Sequence, residues 1–234
     1  MSNHWFVVPA AGIGSRFGAE TPKQYALIDQ YSIIEHTLNQ LLSWRSEVEI
    51  VVAVAADDIF WPRLAIAKDA RVHCVIGGAE RADSVLAALS YLADKLTPRD
   101  WVLVHDAARP CIDHDSLTRL VDSVVDDNVG GILALPVSDT LKQSVNGVNV
   151  LCTVDRSKLW SCQTPQMFRF GLLYNSLNQA LLDKATITDE SSAIEYSGLQ
   201  PKLVEGNSCN IKVTRPEDIQ LARFYIQNRG VKAQ

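Results

Sequence analysis

The chain has 234 residues and is 47% hydrophobic, enough apolar content for a sizeable core. Its formal charge of −5 excludes a general affinity for nucleic acid, so any cations that serve an anionic ligand must be gathered locally. The five cysteines are odd in number and form no C-x-x-C pair, which fits reduced thiols in a cytoplasmic protein.

The first apolar run, residues 5–8, has no basic region before it and is broken by Pro9. It predicts a first strand, with no signal peptide and no membrane span. It feeds the loop Pro9-Ala10-Ala11-Gly12-Ile13-Gly14-Ser15-Arg16-Phe17-Gly18, followed by Pro22-Lys23. A small, glycine-punctuated loop after a strand lets backbone N–H groups point at phosphate. The spacing is neither the dinucleotide fingerprint nor a P-loop, and with Arg16 and Lys23 beside it the segment reads as a site for a triphosphate tail.

Strands predicted at 49–55, 72–76, 101–105 and 131–135 then alternate with helices near 33–42, 58–68, 82–92 and 116–127, the first capped by Ser32. Such alternation predicts an α/β fold, a Rossmann-like, doubly wound and mostly parallel sheet. Ligands bind beyond the carboxyl ends of such strands, an edge shared by the Gly12 loop, the Gly77-Gly78 turn and the loop after His105.

The alternation breaks at 137–159. Residues 140–145 and 148–154 flank Asn146-Gly147, the preferred dipeptide of a type I′ turn. This hairpin is either an arm toward another subunit or an antiparallel addition to the sheet edge. Beyond it the pattern predicts a strand at 159–162, helices at 170–183 and 190–196, strands at 202–204 and 211–213, and a helix with Pro216 in its first turn. No repeat or linker intervenes, so residues 1–234 read as one domain with an inserted arm at about 137–159.

Several segments could carry chemistry. In Gly77-Gly78-Ala79-Glu80-Arg81-Ala82-Asp83-Ser84, adjacent glycines let backbone approach a flat ring, and Ser84 offers a hydroxyl to its edge. A plain tight turn, with Arg81 and Asp83 solvated at a helix start, explains the same residues. In His105-Asp106-Ala107-Ala108-Arg109-Pro110 the acid stands at a strand end, suited to a metal or a substrate hydroxyl. Arg109 supplies a fork for phosphate or carboxylate, or an Asp–Arg pair simply braces the loop. His105 reads as structural. Thr140 opens the arm and Arg156 closes it, while Thr164 and Thr188 are small hydroxyls, the latter suited equally to capping a helix. Lys212 lies between apolar neighbours, a setting that calls for an anionic partner. Neither metal-ligand Cys/His spacing nor a nucleophilic triad is present. This inventory suits transfer of a phosphorus centre between anions, by positioning and charge stabilisation helped by Mg²⁺.

These motifs carry a family resemblance. Pro9-Ala10-Ala11-Gly12-x-Gly14-x-Arg16-x-Gly18, Pro22-Lys23-Gln24-Tyr25, Gly77-Gly78-x-x-Arg81-x-Asp83-Ser84-Val85 and Val104-His105-Asp106-Ala107-Ala108-Arg109-Pro110 resemble the 2-C-methyl-D-erythritol 4-phosphate cytidylyltransferases. Val154-Asp155-Arg156, Gln163-Thr164-Pro165-Gln166, Ile187-Thr188-Asp189-Glu190 and Asn210-Ile211-Lys212-Val213-Thr214 extend the likeness, which runs from about residue 7 to about residue 225. The resemblance implies a nucleotidyltransferase-type sheet whose hairpin arms interlock a homodimer. It also implies an enzyme of the non-mevalonate isoprenoid pathway, joining CTP to 2-C-methyl-D-erythritol 4-phosphate with release of pyrophosphate.

By that likeness Arg16 and Lys23 stabilise charge at the α-phosphorus, and Arg156 and Lys212 position the acceptor phosphate. Ala10, Ala11, Gly12, Gly14, Gly78, Ser84, Asp106 and Ala107 would bind the nucleotide. Asp106, Arg109, Thr140, Arg156, Thr164, Thr188 and Lys212 would bind the acceptor, with Thr140 and Arg156 reaching into the neighbour's site. Mg²⁺ or another divalent cation would be held mainly by the CTP phosphates and water, without metal ligands from the chain. Neither nucleic acid nor membrane is an expected partner. The nearest rival is a cytidylyltransferase for ribitol 5-phosphate. A non-catalytic nucleotide-binding regulator is the alternative of a different class. Sugar-1-phosphate transfer with UTP shares a related opening loop but lacks the His105 and Asn210 motifs and the arm.

Overall fold

The computed structural model describes residues 4–12 and 21–229. Its strands are β1 (His4–Pro9), β2 (Leu27–Ile28), β3 (Tyr31–Ser32), β4 (Val48–Val54), β5 (Val72–Ile76), β6 (Trp101–Val104), β7 (Gly130–Pro136), β8 (Leu141–Ser144), β9 (Val150–Val154), β10 (Trp160–Arg169) and β11 (Lys202–Glu205). The helices are α1 (Ile33–Leu42), α2 (Arg81–Leu92), α3 (His114–Val124), α4 (Phe170–Leu182), α5 (Glu190–Tyr196) and α6 (Asp218–Gln227).

β1, β4 and β6 are near-continuous apolar runs, as strands covered on both faces require. They form the middle of a seven-stranded sheet of order β11-β7-β10-β6-β1-β4-β5. Every pairing is parallel except those of β10, which runs antiparallel to both β6 and β7. The mostly parallel α/β sheet expected from the alternation is therefore present. Side chains alternate across β1: Phe6 and Val8 pack with α1 and α3, while Trp5 and Val7 pack with α2, α4 and α5.

Local chemistry accounts for where elements start and where the sequence reading departs from the structure. α1 opens on a capping box, with the Glu35 carboxylate accepting from the Ser32 N–H at 2.9 Å and the Ser32 hydroxyl accepting from Glu35 N–H. The helix expected over 58–68 is instead two 3₁₀ turns, Trp61–Arg63 and Ala65–Lys68. Pro62 has no N–H to donate, and the Asp58 carboxylate takes the N–H groups of Phe60 and Trp61 at 2.9 Å each.

The hairpin forms, but not through a type I′ turn. Ser144 pairs with Val150, so residues 145–149 make a longer loop, with Gly147 at φ 73°. The Asn146 side chain holds that loop by accepting from Val148 and Asn149 N–H groups at 3.0 Å each.

The strand expected at 159–162 runs on to Arg169, with a register irregularity between Cys162 and Gln166 that accommodates Pro165. The segment 211–213 joins no sheet; the Val213 N–H is instead given to the Ala108 carbonyl at 2.8 Å. α6 starts at Asp218, not Pro216, because the Asp218 carboxylate takes the Thr214 and Arg215 N–H groups at 2.7 and 2.9 Å.

Leu89 on α2 is fully buried beside Val51 and Val104 in the layer that carries the Gly77-Gly78 side of the site. Leu89→Ala is expected to cost about 2–5 kcal/mol. Urea unfolding should show a lower midpoint at unchanged slope.

Candidate active site

Loops leaving the carboxyl ends of β1, β5 and β6 meet at one sheet edge and enclose a cavity of about 290 Å³. On the β1 side, Ala10 stays tied to the sheet by its N–H, 2.7 Å from the Ala53 carbonyl. Ala11 and Gly12 then line the cavity. A Cβ on Gly12 would meet no described atom within 4 Å, so no described neighbour demands a glycine there. Gly14 and Arg16 lie outside the described residues. The chain re-enters at the 3₁₀ turn Lys23–Tyr25, which brings Lys23 and Gln24 to the cavity wall.

The β5 side has the opposite reason for its glycines. A Cβ on Gly77 would lie 2.7 Å from both Ala11 Cβ and Ser84 Oγ, and one on Gly78 would collide with Asp83. The Ser84 hydroxyl is buried, accepts from the Gly78 N–H at 3.2 Å and donates to the Glu80 carbonyl at 3.1 Å. It holds the turn into α2, at the place where the sequence predicts a hydroxyl facing a ring edge.

Asp106, at the end of β6, is the electrostatic centre. Arg81 Nε donates to its Oδ1 at 3.1 Å, while Lys212 Nζ lies 2.8 Å and Arg109 Nε 3.6 Å from Oδ2. Burial alone would raise the Asp106 carboxyl, but Arg81, Lys212 and Arg109 together hold it well below the usual carboxylate range. It is therefore ionised at neutral pH. Arg81 gives its two terminal nitrogens to Glu190, at 2.7 and 2.9 Å, and Glu190 is only 1% exposed. Lys212 reaches the cavity from the segment that Val213 ties to Ala108, and Asp106 is the anionic partner its apolar setting called for.

Other residues picked out from the sequence sit around this centre. Ala107 lines the cavity, its carbonyl held by the Thr37 hydroxyl at 2.9 Å. Arg109 turns its fork to backbone, giving Nη1 to the Asn210 carbonyl at 2.7 Å and Nη2 to the Cys162 carbonyl at 3.3 Å. Thr164 is buried, and its hydroxyl accepts from the Asp106 N–H at 3.0 Å while bonding His105 Nδ1 at 3.0 Å. His105 is fully buried and also meets the Arg109 carbonyl through Nε2 at 3.2 Å, the structural part expected of it. Thr188 is exposed on a second depression that shares Glu80 and Arg81 with the first. Thr140 and Arg156 are exposed at the base of the hairpin and do not line the cavity of their own chain.

Glu190 and Gln24 appear in the sequence only within longer motifs, with no role of their own. An acid in a helix first turn and a glutamine beside a lysine carry no local signal of burial or partner.

The family model for 2-C-methyl-D-erythritol 4-phosphate cytidylyltransferase matches residues 5–228. The chain belongs to this family. A member of that name from Aliivibrio fischeri (strain MJ11) is 49% identical over 221 residues, covering 94% of this chain and 92% of its own. Another, from Pseudomonas putida (strain KT2440), is 50% identical over 220 residues and 94% of both chains. The crystal structure of the Francisella tularensis 2-C-methyl-D-erythritol 4-phosphate cytidylyltransferase superposes with a TM-score of 0.82 at 34% identity, covering 96% of this chain and all of that one (100%). Among the described residues no group of three or more His, Cys, Asp or Glu is placed to hold a metal ion, and no helix is long and apolar enough to cross a membrane.

Burial pushes the His105 imidazole down to about 4, so the folded chain keeps it neutral where the unfolded chain, at about 6.5, takes up a proton. Its contribution to stability is complete above the unfolded value and is lost as pH falls from there toward the folded one. Between pH 7 and pH 5 the wild type is expected to lose on the order of 2 kcal/mol more than His105→Asn, compared by urea unfolding at both pH values.

Proposed function

We propose that this cavity is where the chain joins CTP to 2-C-methyl-D-erythritol 4-phosphate, giving 4-diphosphocytidyl-2-C-methyl-D-erythritol and pyrophosphate for isoprenoid synthesis. The observation that carries the reading is the convergence of the Gly12 loop, Lys23 and Lys212 around Asp106, in a chain of this family. An oxygen of the acceptor phosphate attacks the α-phosphorus of CTP; a P–O bond forms there as the bond to the β-phosphate oxygen breaks, and pyrophosphate leaves with that electron pair. The nucleophile is already an anion at neutral pH, so no general base is required.

The obstacle is bringing anions together, which costs several kcal/mol unless cations offset it. Lys23 and Lys212 supply that charge at the cavity, with Arg16 assigned the same task in the loop. The backbone at Ala11, Gly12 and Gly14 takes the phosphates, beside Ala10, which lines the nucleotide site while its own N–H stays on Ala53. The turn from Gly78 to Ser84 takes the cytosine. Asp106 and Ala107 sit at the junction of nucleotide and polyol, with Thr188 at its rim. Arg109 and Thr164 are already bonded to backbone and His105, so their contribution runs through the position of Asp106.

The divalent cation belongs to the nucleotide. Both Asp106 oxygens are ion-paired, so the donor set fits a Mg²⁺ that would arrive on CTP, held by phosphate and water oxygens, and would supply charge neutralisation at the triphosphate.

Residues 1–234 form one nucleotidyltransferase domain with an arm at about 137–159. Val145 and Val148 on that arm are 82% and 83% exposed, apolar surface that a second copy of the chain would cover. In such a homodimer Thr140 and Arg156 serve the partner's cavity, and the enzyme works in the cytoplasm.

Pyrophosphate release from CTP and Mg²⁺ is expected with 2-C-methyl-D-erythritol 4-phosphate and not with ribitol 5-phosphate. The reverse preference would overturn the acceptor, and silence with both would turn the reading to a nucleotide-binding regulator. Lys212→Ala should lower kcat on the order of 10²-fold in the same assay. Shared sites make a separate demand: co-expressed Lys23→Ala and Arg156→Ala chains should regain activity that neither homodimer has. Failure to complement would place Arg156 in the site of its own chain.

A further inference from the structure

Gln24 stands between two residues with plain tasks. Lys23 lines the cavity, while the ring of Tyr25 stacks on Phe60 at 5.1 Å and its hydroxyl donates to Asp58 at 2.6 Å. Gln24 itself is only 4% exposed. Its Nε2 donates to the Ala10 carbonyl at 2.8 Å and to the Gly12 carbonyl at 3.2 Å. A side-chain amide has two N–H groups, and both go to the loop after β1.

Those carbonyls bracket Ala11. In a trans peptide the C=O and the following N–H point in opposite directions, so drawing the Ala10 carbonyl to Gln24 turns the Ala11 N–H to the other side. The Ala10 N–H is meanwhile fixed on the sheet by the Ala53 carbonyl. The start of the loop is thus held at one end by β4 and across its span by one side chain. No described atom stands within 4 Å of where a Gly12 Cβ would be, so among the described residues the Gln24 amide is the contact that holds this curvature.

We propose that Gln24 is a positioning residue for the triphosphate, fixing the peptide units at 10–12 so that the cavity favours a nucleoside triphosphate over a nucleotide with a shorter phosphate tail. The inference rests on the reading of this cavity as the CTP site. An apolar side chain of similar length keeps the packing and leaves both carbonyls without their donor, so the loop relaxes. The turn from Gly77 to Ser84 is bonded within itself and does not depend on Gln24.

The test compares CTP and CMP binding by calorimetry in wild type and Gln24→Met. Gln24→Met is expected to weaken CTP about tenfold and CMP by no more than about twofold, in line with two lost hydrogen bonds that act on the phosphate side. In steady-state assays the KM for CTP should rise while the KM for the acceptor holds. Gln24→Asn keeps the amide but falls one methylene short; it should show the same selective loss, and it carries the test if Gln24→Met does not fold. Equal losses for CTP and CMP, or an unchanged CTP affinity, would overturn the proposal. A wild-type chain that binds neither nucleotide would overturn the reading of the cavity itself.

Discussion

A buried carboxylate ringed by cations is the constraint on which the site depends. Asp106 meets Arg81, Lys212 and Arg109, and Arg81 passes on to Glu190. Through these contacts the end of β6, the start of α2, the start of α5 and the segment around Lys212 are held in one arrangement. Desolvating such charges is costly, and a buried pair need not add net stability over apolar packing. Here the return is geometric. Each cation is directed by a fixed oxygen, so positive charge is gathered at the cavity in a chain whose overall charge is −5.

The sheet supplies the frame for that arrangement. β1 lies between β4 and β6, so the loops that follow β1 and β6 leave from adjacent strands. The antiparallel β10 then threads back beside β6, pairing Gln166 with Val104 and bringing Thr164 under the Asp106 N–H. Gln166 goes on to tie down the start of α5, donating to Asp189 at 2.8 Å and accepting from the Ser191 N–H at 2.8 Å. Glu190, between them, is oriented toward Arg81 by the same strand. A single reversed strand thus connects the two carboxylates of the site.

What could be read from sequence was what is local or periodic. The expected strand at 72–76 and helix at 190–196 coincide with β5 and α5, because their patterns depend on burial of one face. The three loops of the site were found for a related reason, since each follows an apolar strand. The Trp61–Arg63 turn was misread as helix because its apolar spacing suited one, while a proline and an Asp58 cap decided otherwise. The strand expected at 159–162 falls short of β10, which continues through Pro165 to Arg169, and the role of Lys212 waits on Asp106, far away in the chain. Arg109 and Thr164 show the remaining gap. A fork and a hydroxyl look the same in sequence whether they meet a ligand or a backbone carbonyl, and only the fold tells which.

The glycines of the cavity fall into two kinds, with an evolutionary consequence. Gly77 and Gly78 are demanded by neighbouring atoms, so a side chain there disturbs the fold before any ligand arrives. At Gly12 a Cβ would meet no described atom, so no described neighbour enforces a glycine there. Among the contacts of the described residues, selection for foldability guards the first two and places no such demand on the third. With the cavity read as a CTP site, persistence of glycine at position 12 across descendants would be a record of continued nucleotide use, and its decay an early mark of a copy that still folds but has left that work.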